Sequence, residues 1–248
     1  METVVLTASA GTFPGLAKAL RDIPVDLVER PLMSFRPPVD WGPLDAALAR
    51  VSTYGSVAFT SPRAAQALVE RMRARAVSWR EGPRPAVWAV GPATVAALQD
   101  ILGPVRVPHP YPDENLGAAG ALARAMLDAK ADGPVLFPCG ERRRTELPAM
   151  LRERGIQVDE VVCYRAMLAD ESQARAAVES GTLLVVASPT VADLLARVCP
   201  PLNRPDLLAV GPTTAAAAEE AGWAPAAIAG EPSAQALALA ITGLLARR

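Results

Sequence analysis

The sequence predicts an α/β fold made of two parallel-sheet domains of common ancestry, and three observations carry that prediction. Short apolar runs alternate with Ala- and Leu-rich helical patterns along the whole chain. A block of four such units is written twice, about half a chain length apart. The two copies also share their turns: "AVGPATVAA" at 89–97 returns as "AVGPTTAAA" at 209–217. Alternating strand and helix signals read as β-α units feeding parallel sheets, and a repeat of this length reads as two domains rather than one large sheet.

The candidate strands are residues 3–7, 56–60, 86–90, 105–107, 134–137, 183–187 and 207–210. Helical patterns such as "AAQALVERM" and "ELPAMLRER" follow most of them. The duplication pairs "SVAFTSPRAAQALV" (56–69) with "LLVVASPTVADLLA" (183–196), and more weakly "DENLGAAGALARAM" (113–126) with "GEPSAQALALAITG" (230–243). It also pairs residues 4–32 with 134–167, each a strand, a loop, a helix and an extended segment. The extended segments 28–38 and 161–169 fit either a crossing linker or a sheet strand, so in-line and interleaved halves both remain open at this level.

Composition bounds the function. The 248 residues suit one large α/β domain or two of roughly 120 residues. At 51% hydrophobic and 4% aromatic, the chain is globular, with helices packed by small side chains. A net charge of −1 argues against bulk attraction to nucleic acid or an anionic membrane, so any anionic ligand must be held locally. Cys139, Cys163 and Cys199 are odd in number and lack C-x-x-C spacing, which fits a reduced, cytoplasmic setting. His109, the single histidine, lies between prolines and supplies no zinc pattern. The opening "METVVLTASAGTF" lacks the basic and long apolar segments of a signal peptide, and no apolar run approaches the ~20 residues that span a bilayer. No G-x-x-x-x-G-K-[ST], G-x-G-x-x-G or G-x-S-x-G is present, so nucleotide binding and serine-triad chemistry lack motif support.

The repeated turns are the chemical signal. Ser61–Pro62 and Ser188–Pro189 are expected to open helices directly off buried strands, serine as N-cap and proline at the first helical position. Gly91–Pro92 and Gly211–Pro212 do the same with a bare backbone, and Thr94 and Thr214 place hydroxyls in the first turn. Each helix start carries about half a positive charge and unpaired N–H donors, at the strand ends where α/β sheets bind ligands. Such turns also cap helices that bind nothing, but capping alone does not require the same solution twice. Arg142, Arg143 and Arg144 fall in "CGERRRTELPAML", at a loop and helix start where basic residues oppose the helix dipole. That arrangement suits an anion partner, or else a solvated charged loop.

At these residues the chain resembles the uroporphyrinogen-III synthase family. The matching pieces are "FTSPRAA", "AVGPATVAAL", "LFPCGERRRTELPAMLRERG" with "VVCYRAM", "VVASPTVADLL" and "AVGPTTAAAAEEAGW", in the family's order over most of the chain. The resemblance implies two flavodoxin-like domains joined by a two-segment extended linker. One domain would comprise 1–33 plus 167–248, the other 37–162, with linkers at 31–36 and 163–167 and a cleft between the domains. It implies a cytoplasmic, monomeric lyase of porphyrin biosynthesis (toward haem, sirohaem, cobalamin or chlorophyll). That enzyme closes hydroxymethylbilane, a linear tetrapyrrole with eight carboxylates received from the preceding deaminase, inverting the last ring and losing water without metal or organic cofactor. Residue by residue, Tyr164 matches a linker tyrosine assisting water loss, or a packing anchor. Thr214, Thr94 and Ser188 match cleft residues; Ser61 follows by the internal repeat, and Gly91, Gly211, Arg142 and Arg143 complete the substrate-binding set. The alternatives are a two-domain small-anion binding protein, against which the missing signal peptide counts, and a catalytically idle family member.

Overall fold

The computed structural model describes residues 2–79, 84–108, 117–131 and 133–247; His109 and the start of the 113–126 segment lie outside them. The chain runs β1 (Glu2–Leu6), α1 (Leu16–Ala19), β2 (Val25–Glu29), β3 (Met33–Arg36), α2 (Gly42–Ala49), β4 (Ser56–Phe59), α3 (Pro62–Ala74), β5 (Ala86–Ala89), α4 (Pro92–Leu102) and β6 (Val105–Arg106). It continues through α5 (Gly117–Asp128), β7 (Val135–Gly140), α6 (Glu146–Arg152), β8 (Val158–Leu168), α7 (Glu171–Glu179), β9 (Leu183–Val186), α8 (Pro189–Val198), β10 (Asp206–Val210), α9 (Pro212–Glu220), β11 (Ala227–Ala229) and α10 (Ala234–Leu245).

These elements form two compact units, residues 1–35 with 167–248 and residues 36–166. The first holds a five-stranded sheet in the order β11-β10-β9-β1-β2; the other sheet has the order β3-β8-β7-β4-β5-β6, with β4 to β7 in the second unit and β3 and β8 crossing the unit boundaries at residues 35/36 and 166/167. From β2 to β11 and from β8 to β6 every neighbouring pair is parallel. Numbered along the chain, the first sheet reads 2-1-3-4-5, the flavodoxin-like doubly wound order. The second sheet has the same order with the chain entering at its third strand, and β3 extends its edge beyond β8.

Continuous apolar runs make the central strands because both sheet faces are covered by helices. In β4, Val57 and Phe59 point into a core under α2, α3 and α4, while Ala58 points into one under α5 and α6. In β9, Leu184 and Val186 face α7, α8 and α9, and Leu183 and Val185 face α1 and α10. This is the two-residue alternation of a pleated strand. The strand β1 repeats it, with Val5 on one face and Val4 and Leu6 on the other. Between β2 and β9, β1 is further tied by Thr7, whose amide and hydroxyl both donate to the Val185 carbonyl at 3.1 and 2.8 Å.

Two strands lay outside the candidate set: β2 and β11. Both are edge strands, β2 with exposed Asp26 and Glu29 breaking its apolar run and β11 only three residues long. The extended segments left open between linker and strand contain strands, β3 and the eleven-residue β8. Asp170 caps α7 through a reciprocal capping box with Gln173, and Ser233 caps α10 by accepting from Ala236 N–H at 3.1 Å.

Arg204 fastens the ends of two helices. It donates to the carbonyls of Cys199 and Ala196 at 3.2 Å each, and to that of Gly222, and its guanidinium lies 4.8 Å from the centre of the Trp223 ring. Arg204→Lys keeps the charge but loses the planar fork. Urea unfolding followed by tryptophan fluorescence is therefore expected to show both Arg204→Ala and Arg204→Lys losing about 1.5–3 kcal/mol, the range for hydrogen bonds to a charged group. Wild-type midpoints would show that the fork carries no stability.

Candidate functional site

In the 36–166 unit a cavity of about 410 Å³ opens where β4 and β7 end beside β8. Thr60 and Ser61 follow β4, Cys139 and Gly140 close β7, and Arg142, Arg143 and Arg144 form the turn beyond it. Tyr164 enters from β8, and Ala118 and Ala119 from α5 make the remaining wall. Parallel strands bring these ends to one edge, where doubly wound sheets bind ligands.

Tyr164 reaches the cavity through an irregularity. The β7–β8 register pairs Cys139 with Val162 but Gly140 with Tyr164, so β8 carries one extra residue, Cys163, against β7. Such a bulge re-aims the side chain that follows it. The Tyr164 hydroxyl lies 3.2 Å from the Ser61 hydroxyl, and either can donate. Its ring rests on Gly140, where a Cβ would sit 2.7 Å from Tyr164 Cζ and 2.9 Å from its hydroxyl. The Glu141 amide donates to the Tyr164 carbonyl at 3.0 Å, which holds the backbone in place.

Ser61 was expected to cap α3 with its hydroxyl; it does not. Its backbone takes the N-cap conformation (φ −146°, ψ 130°), but the side chain turns to Tyr164. Ser188, at the corresponding end of β9, has nearly the same backbone (φ −147°, ψ 130°) and likewise no side-chain cap. Pro62 and Pro189 already remove one orphan N–H from each first turn, so less is left for a cap to satisfy. Gly91 and Gly211 share a left-handed φ, +88° and +81°, which only glycine adopts readily, and each opens its helix without a cap. Thr94 and Thr214 are buried in the first turns of α4 and α9, at 2% and 4% exposure.

The arginines divide. Arg143 donates to Glu160, which also accepts from Arg152 at 2.7 Å. Burial works to raise the Glu160 pKa, but the hydrogen bonds from Arg143 and Arg152 outweigh it and hold the carboxyl below its usual range. Arg143 is thus committed to a structural ion pair. Arg142 makes no ion pair among the described residues, and Arg144 stands 4.0 Å from Glu146. None of the three lies in a helix start: α6 begins at Glu146, an acidic first-turn residue that suits the dipole. Burial pushes the Cys139 thiol to about 12, against the opposing influence of Arg143, so it is no nucleophile at neutral pH.

Arg63 escaped the sequence reading although it stands in the quoted "TSPRAA". Burial lowers its pKa from the usual arginine value, and the charge of the nearby Tyr164 works the other way. The cavity thus gathers Ser61, Tyr164, Arg142 and Arg143. Gly91 and Thr94 stand at the next strand end, that of β5, while Ser188, Gly211 and Thr214 stand at the matching strand ends of the other unit. Among the described residues no cluster of three metal-ligating side chains occurs, and no helix is long and apolar enough to cross a membrane.

A family model described as uroporphyrinogen-III synthase HemD matches residues 15–238. The chain belongs to the uroporphyrinogen-III synthase family. A uroporphyrinogen-III synthase from Synechococcus elongatus is 28% identical over 166 residues, 66% of this chain and 61% of the relative's own length. Two solved structures share the fold over both full chains. A mutant uroporphyrinogen III synthase from Thermus thermophilus matches at 16% identity with a TM-score of 0.68, and the uroporphyrinogen-III synthetase of Helicobacter pylori at 20% with 0.61.

Two helix starts, one capped by a side chain and one not, make a clean comparison. Asp170→Ala is expected to destabilise the protein by about 1 kcal/mol, the usual value of a working N-cap. Ser188→Ala removes a hydroxyl that caps nothing and is expected to stay within about 0.5 kcal/mol of wild type. Equal losses in denaturant titrations would show that Ser188 caps α8 in solution.

Proposed function

We propose that the chain is a uroporphyrinogen-III synthase: a lyase that closes hydroxymethylbilane with inversion of the last ring and loss of water. The observation that carries this reading is the Tyr164 hydroxyl, held against Ser61 in the wall of a cavity flanked by arginines, in a chain of this family. The 1–35 plus 167–248 unit and the 36–166 unit act as its two domains. Three free, buried cysteines are in keeping with work in the reducing cytoplasm. The protein acts as a monomer, takes its substrate from the preceding deaminase, and needs no cofactor.

The chemistry asks for two things. The bilane closes unaided to the isomer without inversion, so the protein must hold one folded conformation of a flexible polyanion, which is positioning catalysis. Arg142 and the backbone N–H groups at the helix starts grip carboxylates without a large basic patch. The departing hydroxyl must also leave as water. Tyr164 donates a proton to its oxygen as the carbon–oxygen bond breaks, and the Ser61 hydroxyl keeps the phenol oriented for that transfer. Arg63 stabilises the phenolate until it is reprotonated.

Incubating the purified protein with hydroxymethylbilane and separating the product isomers tests the reading. Uroporphyrinogen III is expected well above background; only the uninverted isomer, formed at the uncatalysed rate, would overturn it and leave an idle family member or an anion-binding protein. The threonine of "GPTTA" gives a sharper check. Thr214 is buried in the first turn of α9, while Thr213 is exposed. Thr214→Ala is expected to slow the reaction roughly ten- to hundredfold, as losing ~1.5–3 kcal/mol of bonding to a charged group would. Thr213→Ala should keep near wild-type activity, and equal rates in both variants would remove Thr214 from the site.

A further inference from the structure

We propose that Gly140 is a positioning residue for ring closure, whose missing side chain sets the Tyr164 hydroxyl at the reacting end of the substrate. The inference rests on the reading of Tyr164 as proton donor. Gly140 is the last residue of β7 and is buried, with its α-carbon facing the Tyr164 ring. A Cβ there would meet Tyr164 Cζ and Oη at 2.7 and 2.9 Å, closer than Cβ atoms tolerate, and Cε2 at a tight 3.0 Å. All three are atoms of the far end of one side chain, so the strand can accept alanine while the ring must move.

Three independent features converge on the same hydroxyl. The bulge at Cys163 turns Tyr164 toward β7. The Glu141 amide pins its carbonyl, and Ser61 stands 3.2 Å from its oxygen. With the Tyr164 backbone held, a Cβ at Gly140 pushes the ring toward the open cavity, which carries its hydroxyl away from Ser61. Gly140 itself has no group that can touch substrate through a side chain, so its effect passes through the tyrosine. Misplacing a proton donor by even an ångström is costly in rate.

The test uses the full chain as Gly140→Ala, Tyr164→Phe and the double variant, with tyrosine labelled at 13Cζ. The three tyrosines give three resonances, and the one lost in Tyr164→Phe assigns itself. In Gly140→Ala that resonance is expected to move while the others stay. Turnover should fall about tenfold or more in Tyr164→Phe and in Gly140→Ala alike, the low end of what a proton donor contributes, with KM little changed. In the double variant the glycine change should add nothing, since the hydroxyl it misplaces is gone. A still resonance, or normal turnover of Gly140→Ala beside a slow Tyr164→Phe, overturns the role of Gly140 and leaves the tyrosine standing. A double variant slower than Tyr164→Phe by the full glycine factor overturns it as well, because the methyl would then be blocking the cavity. Normal turnover of Tyr164→Phe removes the proton donor and the proposal together.

Discussion

Parallel strand pairing is the constraint on which the rest of this structure depends. A parallel neighbour can be reached only by a crossover, so each strand must hand the chain to a helix at its carboxyl end. In both sheets the joints are abrupt: β4 gives way to α3 at Ser61–Pro62, β5 to α4 at Gly91–Pro92, β9 to α8 at Ser188–Pro189 and β10 to α9 at Gly211–Pro212. Within each unit these joints collect at one sheet edge, where helix starts present N–H donors and partial positive charge. A chain with net charge −1 can therefore bind a polyanion without a basic surface.

Onto that edge the second unit adds chemistry of its own. β7 and β8 both reach it, and their slipped register brings Tyr164 over Gly140 and against Ser61. The serine that the turn pattern offers as a cap is thereby diverted into the site. The arginine turn is split in the same way: Arg143 is spent on Glu160, which Arg152 also holds, and this pairing stiffens the turn that carries Arg142. Thus one edge holds a fixed phenol and an exposed arginine, Arg142, around one cavity, with the half-buried Arg63 following Ser61 on α3.

How much of this was legible in the sequence follows burial. Strands covered on both faces, such as β4, β7, β9 and β10, are uninterrupted apolar runs and were found. The edge strands β2 and β11 lack that signature, because one flank is solvated or the strand is too short to show a period. The repeated Ser-Pro and Gly-Pro turns were legible because proline and positive-φ glycine are local requirements, and Tyr164 was reached through family resemblance. The Ser61 hydroxyl was misassigned: capping is the local choice for a serine before proline, and only the tertiary fold supplies Tyr164 as a competitor. Gly140 and the bulge beside it were invisible, since a register shift is a property of two strands together. Glu160 as the partner of Arg143 is a cross-strand fact of the same kind.

The central claim is that a carboxylate-rich tetrapyrrole sits at this strand edge with its reacting end beside Tyr164. Titrating the 13C-tyrosine, 13C-arginine-labelled protein with uroporphyrinogen and following the spectra measures it most directly. Saturable shifts of Tyr164, Arg63 and Arg142, with Arg152 and Arg204 unmoved, are the result this account predicts. Saturable binding that leaves Tyr164 and Arg142 unshifted would contradict it and place the ligand elsewhere on the protein.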